Sequence, residues 1–93
     1  MSELIQLPNI GKVLEQHLLS VGIETEQRLK EIGAEQAFLL IREQRDSGAC
    51  LHMLYGLEGA ILGIRDSQLP QQIETVLKQF FNSLSLTTSD YTQ

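Results

Sequence analysis

Leu7-Pro8-Asn9-Ile10-Gly11-Lys12, followed by an apolar-periodic run that closes on Val21-Gly22-Ile23, decides the fold. Val13, Leu14, Leu18 and Val21 mark one face of a helix entered from a tight loop. Gly22 lies where a helix C-terminus favours a positive φ. Thr25 then suits an N-cap, and Glu26 falls in a first helical turn, where a carboxylate meets the positive end of the helix dipole. Loop, helix, glycine turn and helix in that order make a helix-hairpin-helix unit. Its loop residues, Asn9, Ile10, Gly11 and Lys12, form a candidate anion site, because backbone N–H groups in such loops can hold a phosphate.

Working outward, every later segment also reads as helix. A short helix carrying Leu29 and Ile32 ends at Gly33, and a third runs from Ala34 to Gln44 with Ala37, Phe38, Leu40 and Ile41 apolar. Arg45-Asp46-Ser47-Gly48 is a polar break. The segment Cys50 to Gly63 is apolar nearly all round, which places it at the centre of a small bundle. After the Arg65–Gln68 turn, Pro70 suits the start of a last helix. There Ile73, Val76, Leu77, Phe80, Phe81 and Leu84 recur at helical spacing, the cleanest amphipathic pattern in the chain. The expected fold is all-α, a bundle of about five helices over residues 1–84, with a polar, disordered tail at 85–93. Its expected core holds Leu14, Leu18, Phe38, Leu54, Ile61, Val76, Leu77 and Phe80.

Composition narrows the function. Ninety-three residues make one domain, and 42% hydrophobic residues with two Tyr, three Phe and no Trp imply an aliphatic core. No apolar run reaches the ~18 residues that span a bilayer, and Met1-Ser2-Glu3-Leu4 lacks the basic start of a secretory signal. The lone cysteine, Cys50, cannot form an internal disulfide. A reduced, cytoplasmic protein is expected. Seven basic residues against twelve acidic ones leave a net charge of −5. Affinity for nucleic acid comes largely from Lys and Arg neutralising phosphates, so strong autonomous DNA binding is not expected.

These segments together resemble the C-terminal domain of the TfoX/Sxy family of competence regulators, over roughly Leu7 to Leu84. The marks are Leu7-Pro8-Asn9-Ile10-Gly11, Val21-Gly22-Ile23 with Thr25 and Leu29, and Ile32-Gly33-Ala34 with Ala37-Phe38. The most specific is Leu54-Tyr55-Gly56-Leu57-Glu58-Gly59-Ala60, similar to the family's Leu-Tyr-Ala-Leu-Glu-Gly-Ala run with Gly56 in place of an alanine. The resemblance implies a five-helix bundle of the helix-hairpin-helix or SAM-like kind. The resemblance further implies that full-length members carry an N-terminal α/β domain, which is not expected within these 93 residues, and regulate DNA-uptake genes alongside a transcription factor.

Four features remain to be weighed. DNA-binding hairpins carry Gly-x-Gly in the loop; here Asn9 takes the first glycine's place. Asn tolerates the left-handed conformation, but its side chain can occupy the backbone donors a phosphate would need, so the turn reads first as structural. Gly56, Ala60 and Gly63, with Gly59 adjoining, form a small-residue stripe expected to admit a close helix, within the bundle or in a homodimer. Glu58, set among apolar neighbours beside Tyr55, is expected to accept hydrogen bonds from loop N–H groups or an Arg, as part of a structural motif of Tyr55, Gly56, Glu58 and Gly59. Cys50, His52 and His17 lack the paired clusters of a zinc site, and no catalytic constellation or cofactor motif stands out. The expected function is a small non-catalytic domain making protein–protein contacts in a regulatory or nucleic-acid-associated setting, as monomer or homodimer and without a cofactor. The alternative is a DNA-binding domain contacting phosphates, weakly, through the hairpin loop.

Overall fold

A computed structural model describes the backbone of residues 3–92 and the side chains of residues 3–84. A 3-10 turn at Glu3–Gln6 leads into α1 (Lys12–Ser20), α2 (Glu26–Ile32), α3 (Ala34–Gln44) and α4 (Leu51–Leu62). A second 3-10 turn, Asp66–Gln68, leads into α5 (Gln71–Thr92), and no strand occurs among the described residues. The all-α reading and its helix order therefore hold. The tail expected at 85–93 falls outside the described side chains.

The helix ends follow from local chemistry. At the end of α1, Ile23 N–H donates to Leu18 O (2.9 Å) and Gly22 N–H to Leu19 O (3.1 Å), with Gly22 at φ +87°. This is a Schellman closure. Its usual apolar contact is supplied by Leu18 and Ile23, both wholly buried. Thr25 Oγ1 accepts from Arg28 N–H (3.0 Å), as expected of an N-cap. A second cap has no local trace in the residue pattern: Glu3 Oε1 accepts from Glu26 N–H (2.9 Å), tying the leading 3-10 turn to α2.

Helix α4 sits at the centre. Its apolar surface meets α2, α3, α5 and the Asp66–Gln68 turn, which accounts for a sequence with no polar face. Leu54 and Leu57 are wholly buried, together with Phe38 and Ile41 of α3. The rings of Phe38 and Phe81 meet in an edge-type arrangement at a centroid distance of 5.9 Å, joining α5 to α3.

The expected core needs correction at the margins. Leu18, Phe38, Leu54 and Leu77 are buried, whereas Leu14, Ile61 and Phe80 are half-buried and pack against the core from outside. Val76 is 56% exposed and Val13 68% exposed. Both belong to correctly read apolar stripes that are wider than the surface covering them. On α1 the buried line runs through Leu18 and Glu15, with Val13 off to one side; on α5 it runs through Leu77.

Substitution should separate the two classes. Phe38→Ala is expected to destabilise by about 3–5 kcal/mol and Val76→Ala by no more than about 0.5 kcal/mol, read by urea denaturation. Comparable losses at the two positions would contradict the packing described.

Candidate functional site

Asn9 is the polar centre of the molecule. It holds φ +69° among otherwise left-handed glycines, as expected of the residue standing where a hairpin carries glycine. Its side chain does not turn back on its own loop. Nδ2 donates to Gly56 O (3.3 Å) and Ile64 O (3.0 Å), and Oδ1 accepts from Asp66 N–H (3.1 Å). One carboxamide thus clamps the first loop to the middle of α4 and to the turn that follows it.

The glycines of α4 take their meaning from this clamp. The expected stripe for a neighbouring helix is not what they form. Gly63 is the left-handed closing residue of α4 (φ +79°), with Gly63 N–H donating to Ala60 O and Ile64 N–H to Gly59 O. This second Schellman closure aims Ile64 O at Asn9. A Cβ on Gly59 would stand 2.5 Å from Asn9 Nδ2 and 2.8 Å from Ile64 O, closer than atoms can approach. A Cβ on Gly56 would meet Asn9 Cβ at 3.5 Å, an ordinary contact. The small residues admit a loop and its turn, not a helix.

Glu58 also departs from expectation. It is half-buried and has no hydrogen-bond or ion-pair partner among the described residues. Burial, and secondarily the charge of Glu35, push its carboxyl above the ordinary carboxylate range. The link between α4 and a turn that was expected of Glu58 is made by Asn9, whose donors and acceptor suit two carbonyls and one amide. Tyr55 is half-buried against the core.

The other residues of the hairpin loop are placed as follows. Ile10 is buried and its N–H is directed at Leu7 O (3.4 Å); Gly11 and Lys12 are exposed, with Gly11 in extended backbone at the start of α1. Asp66 lies beside the same loop, and its Oδ2 accepts from His52 Nε2 at 2.9 Å. Cys50 is exposed, His17 Nδ1 is buried without a partner, and no group of three or more metal-ligating side chains forms among the described residues.

Sequence periodicity did not reveal a groove of about 610 Å³ between the start of α3 and the exposed side of α5. Leu39, Ile73, Val76 and Phe80 give it an apolar floor, with Glu35 and Glu58 among its walls. The excess width of the α5 stripe was its only trace in the sequence.

The model of the TfoX C-terminal domain matches residues 1–81, nearly the whole described bundle. The chain belongs to the TfoX C-terminal domain family. Protein Sxy of Escherichia coli is 37% identical over 79 residues, covering 85% of this chain and 37% of Sxy. The chain thus spans little more than a third of that relative's length. Two crystal structures of a Listeria monocytogenes protein of unknown function, in triclinic and tetragonal forms, are 50% identical with a TM-score of 0.85. Each covers 88% of this chain, and the match takes in 92% and 99% of theirs. No helix among the described residues of this TfoX C-terminal domain is long and apolar enough to cross a membrane.

The clamp makes opposite predictions for two glycines three positions apart on one helix. Gly56→Ala should stabilise by roughly 0.5–1 kcal/mol, since alanine favours helix and its methyl finds room. Gly59→Ala should destabilise by about 1–3 kcal/mol despite the same helical gain, and Asn9→Ala by on the order of 2–4 kcal/mol through unsatisfied groups. Chemical denaturation of the three variants checks this; equal responses at Gly56 and Gly59 would contradict it.

Glu58 gives a pH test. Its folded carboxyl binds a proton more tightly than the unfolded one, so ionising it lowers stability as pH rises through the carboxylate range. Glu58→Gln should therefore raise the thermal midpoint at about pH 7, and the gain should shrink at about pH 3, where the native carboxyl is already neutral. A lower midpoint for the variant at neutral pH would show that the carboxylate has a stabilising partner.

Proposed function

We propose that this TfoX C-terminal domain is a non-catalytic, cytoplasmic module that makes protein–protein contacts within a competence-type regulatory system. The observation that carries this reading is the uncovered part of the α5 apolar stripe, where Val76 is 56% exposed beside the buried Leu77. With Leu39, Ile73 and Phe80, Val76 lines an open groove, and a contiguous apolar surface of this kind suits completion by another protein. The central polar residue, Asn9, is engaged with α4 and its turn, so the polar heart of the domain serves the fold and not a reaction.

The second reading, phosphate contact through Asn9–Lys12, is favoured by the preserved left-handed turn and by Lys12 at the start of α1. Electrostatics weigh against it. Asp66 stands beside the loop, and the net charge is −5. Of the scattered cations, Arg28 and Lys30 are held by Glu31 and Glu26 at 3.5 and 2.9 Å.

Affinity capture from the native cell, with nuclease treatment and with Val76→Glu in parallel, tests the two readings together. Protein partners should be retained after nuclease treatment and lost with Val76→Glu. Duplex DNA should show no sub-micromolar binding at ~150 mM salt, where nonspecific affinities lie near 10⁻⁴–10⁻⁶ M. Recovery only through nucleic acid, unaffected by the Val76 change, would overturn the protein-contact reading.

A further inference from the structure

The groove beside Val76 has a chemistry of its own. Its floor is apolar, from Leu39 of α3 and from Ile73, Val76 and Phe80 of α5. Glu35 and Glu58 line it from α3 and α4, and no Lys or Arg does among the described residues. Neither carboxylate has a hydrogen-bond or ion-pair partner among the described residues. Burial first, and the charge of neighbouring Glu35 second, hold the Glu58 carboxyl above its ordinary range.

We propose that the groove between α3 and α5 receives a cationic amphipathic helix of a partner protein, its apolar side chains on Ile73, Val76 and Phe80 and a Lys or Arg between Glu35 and Glu58. The proposal rests on the protein-contact reading above and adds the chemistry of the partner. Charge complementarity selects this occupant. A second copy of the chain would bring a molecule of net charge −5 against the same two carboxylates, and a nucleic acid or an anionic lipid surface would meet them with like charge. An amphipathic helix presents apolar residues at i, i+3, i+4 and i+7, a stripe that an elongated apolar floor along α5 can match. A Lys or Arg at the edge of that stripe can lay its methylenes on the floor and carry its charge to the walls.

The test uses the whole chain, isotopically labelled for amide NMR, and three synthetic peptides: a Leu/Lys amphipathic helix, its Leu/Glu counterpart and a scrambled Leu/Lys sequence. The Leu/Lys helix should shift amides over residues 34–36 and 72–80, and the other two peptides should leave them unmoved. Val76→Glu should weaken binding about tenfold, and Val76→Ser should weaken it less. Glu35→Gln and Glu58→Gln should each weaken it about two- to fivefold and flatten its salt dependence, whereas Glu43→Gln, exposed and outside the groove, should not. Retained amide dispersion in each variant shows that the fold persists. Shifts spread over other acidic surfaces, an equal effect of Glu43→Gln, or a dimer that Val76→Glu disperses would overturn the proposal. If the peptide fails but nuclease-resistant capture still depends on Val76, the protein-contact reading survives and the cationic helix does not.

Discussion

The carboxamide of Asn9 is the interaction on which the arrangement of this domain depends. Two carbonyls and one amide N–H, separated from it by 47 to 57 residues, converge on a single side chain that satisfies all three. Without it, Ile64 O and Asp66 N–H would be left part-buried in a turn that makes no regular ladder. The clamp also explains the backbone around it. Asn9 must be left-handed to aim its side chain into the bundle, Gly63 must be left-handed to turn Ile64 O toward it, and Gly59 must lack a Cβ for the two to meet. Three separate irregularities are consequences of one contact.

Much of this was legible in the sequence. Gly22, Thr25, Gly33 and the bounds of α3 follow from the local energetics of helix ends, which act over a few residues and so leave a local trace. The continuous apolar surface of the segment before Gly63 correctly placed α4 at the centre. The left-handed turn at Asn9 was legible for the same reason. The partner of its side chain was not, since nothing local connects residue 9 with residues 56, 64 and 66. Gly56, Ala60 and Gly63 read as a stripe because spacing alone cannot distinguish a glycine under a helix, a glycine under a loop and a glycine that ends the helix. Val76 was placed in the core because periodicity gives the direction of an apolar face but not the width of what covers it.

The clamp has a consequence for function. In hairpins that hold phosphate, the loop offers its backbone donors outward. Here the equivalent loop is drawn against α4 by a side chain, with Asp66 brought alongside, and the electrostatics near it turn less favourable to an anion. The uncovered apolar surface lies elsewhere, on α5, next to two carboxylates. On the proposed reading, the hairpin loop serves the fold and the last helix offers the face that meets a partner. The match takes in 37% of the length of Sxy, so in that relative a larger remainder lies outside the matched segment.

Native-state hydrogen exchange at the Asp66 amide tests the clamp most directly. This N–H lies in a short 3-10 turn whose own hydrogen bonds would leave it open to solvent, and Asn9 Oδ1 is its acceptor. If the clamp holds the domain together, Asp66 should exchange with an opening free energy within about 1 kcal/mol of the slowest amides in α4, because releasing it requires the loop to leave the bundle. Exchange at the rate of an ordinary exposed turn, while α4 stays protected, would show that the first loop and the central helix open independently and would contradict the account.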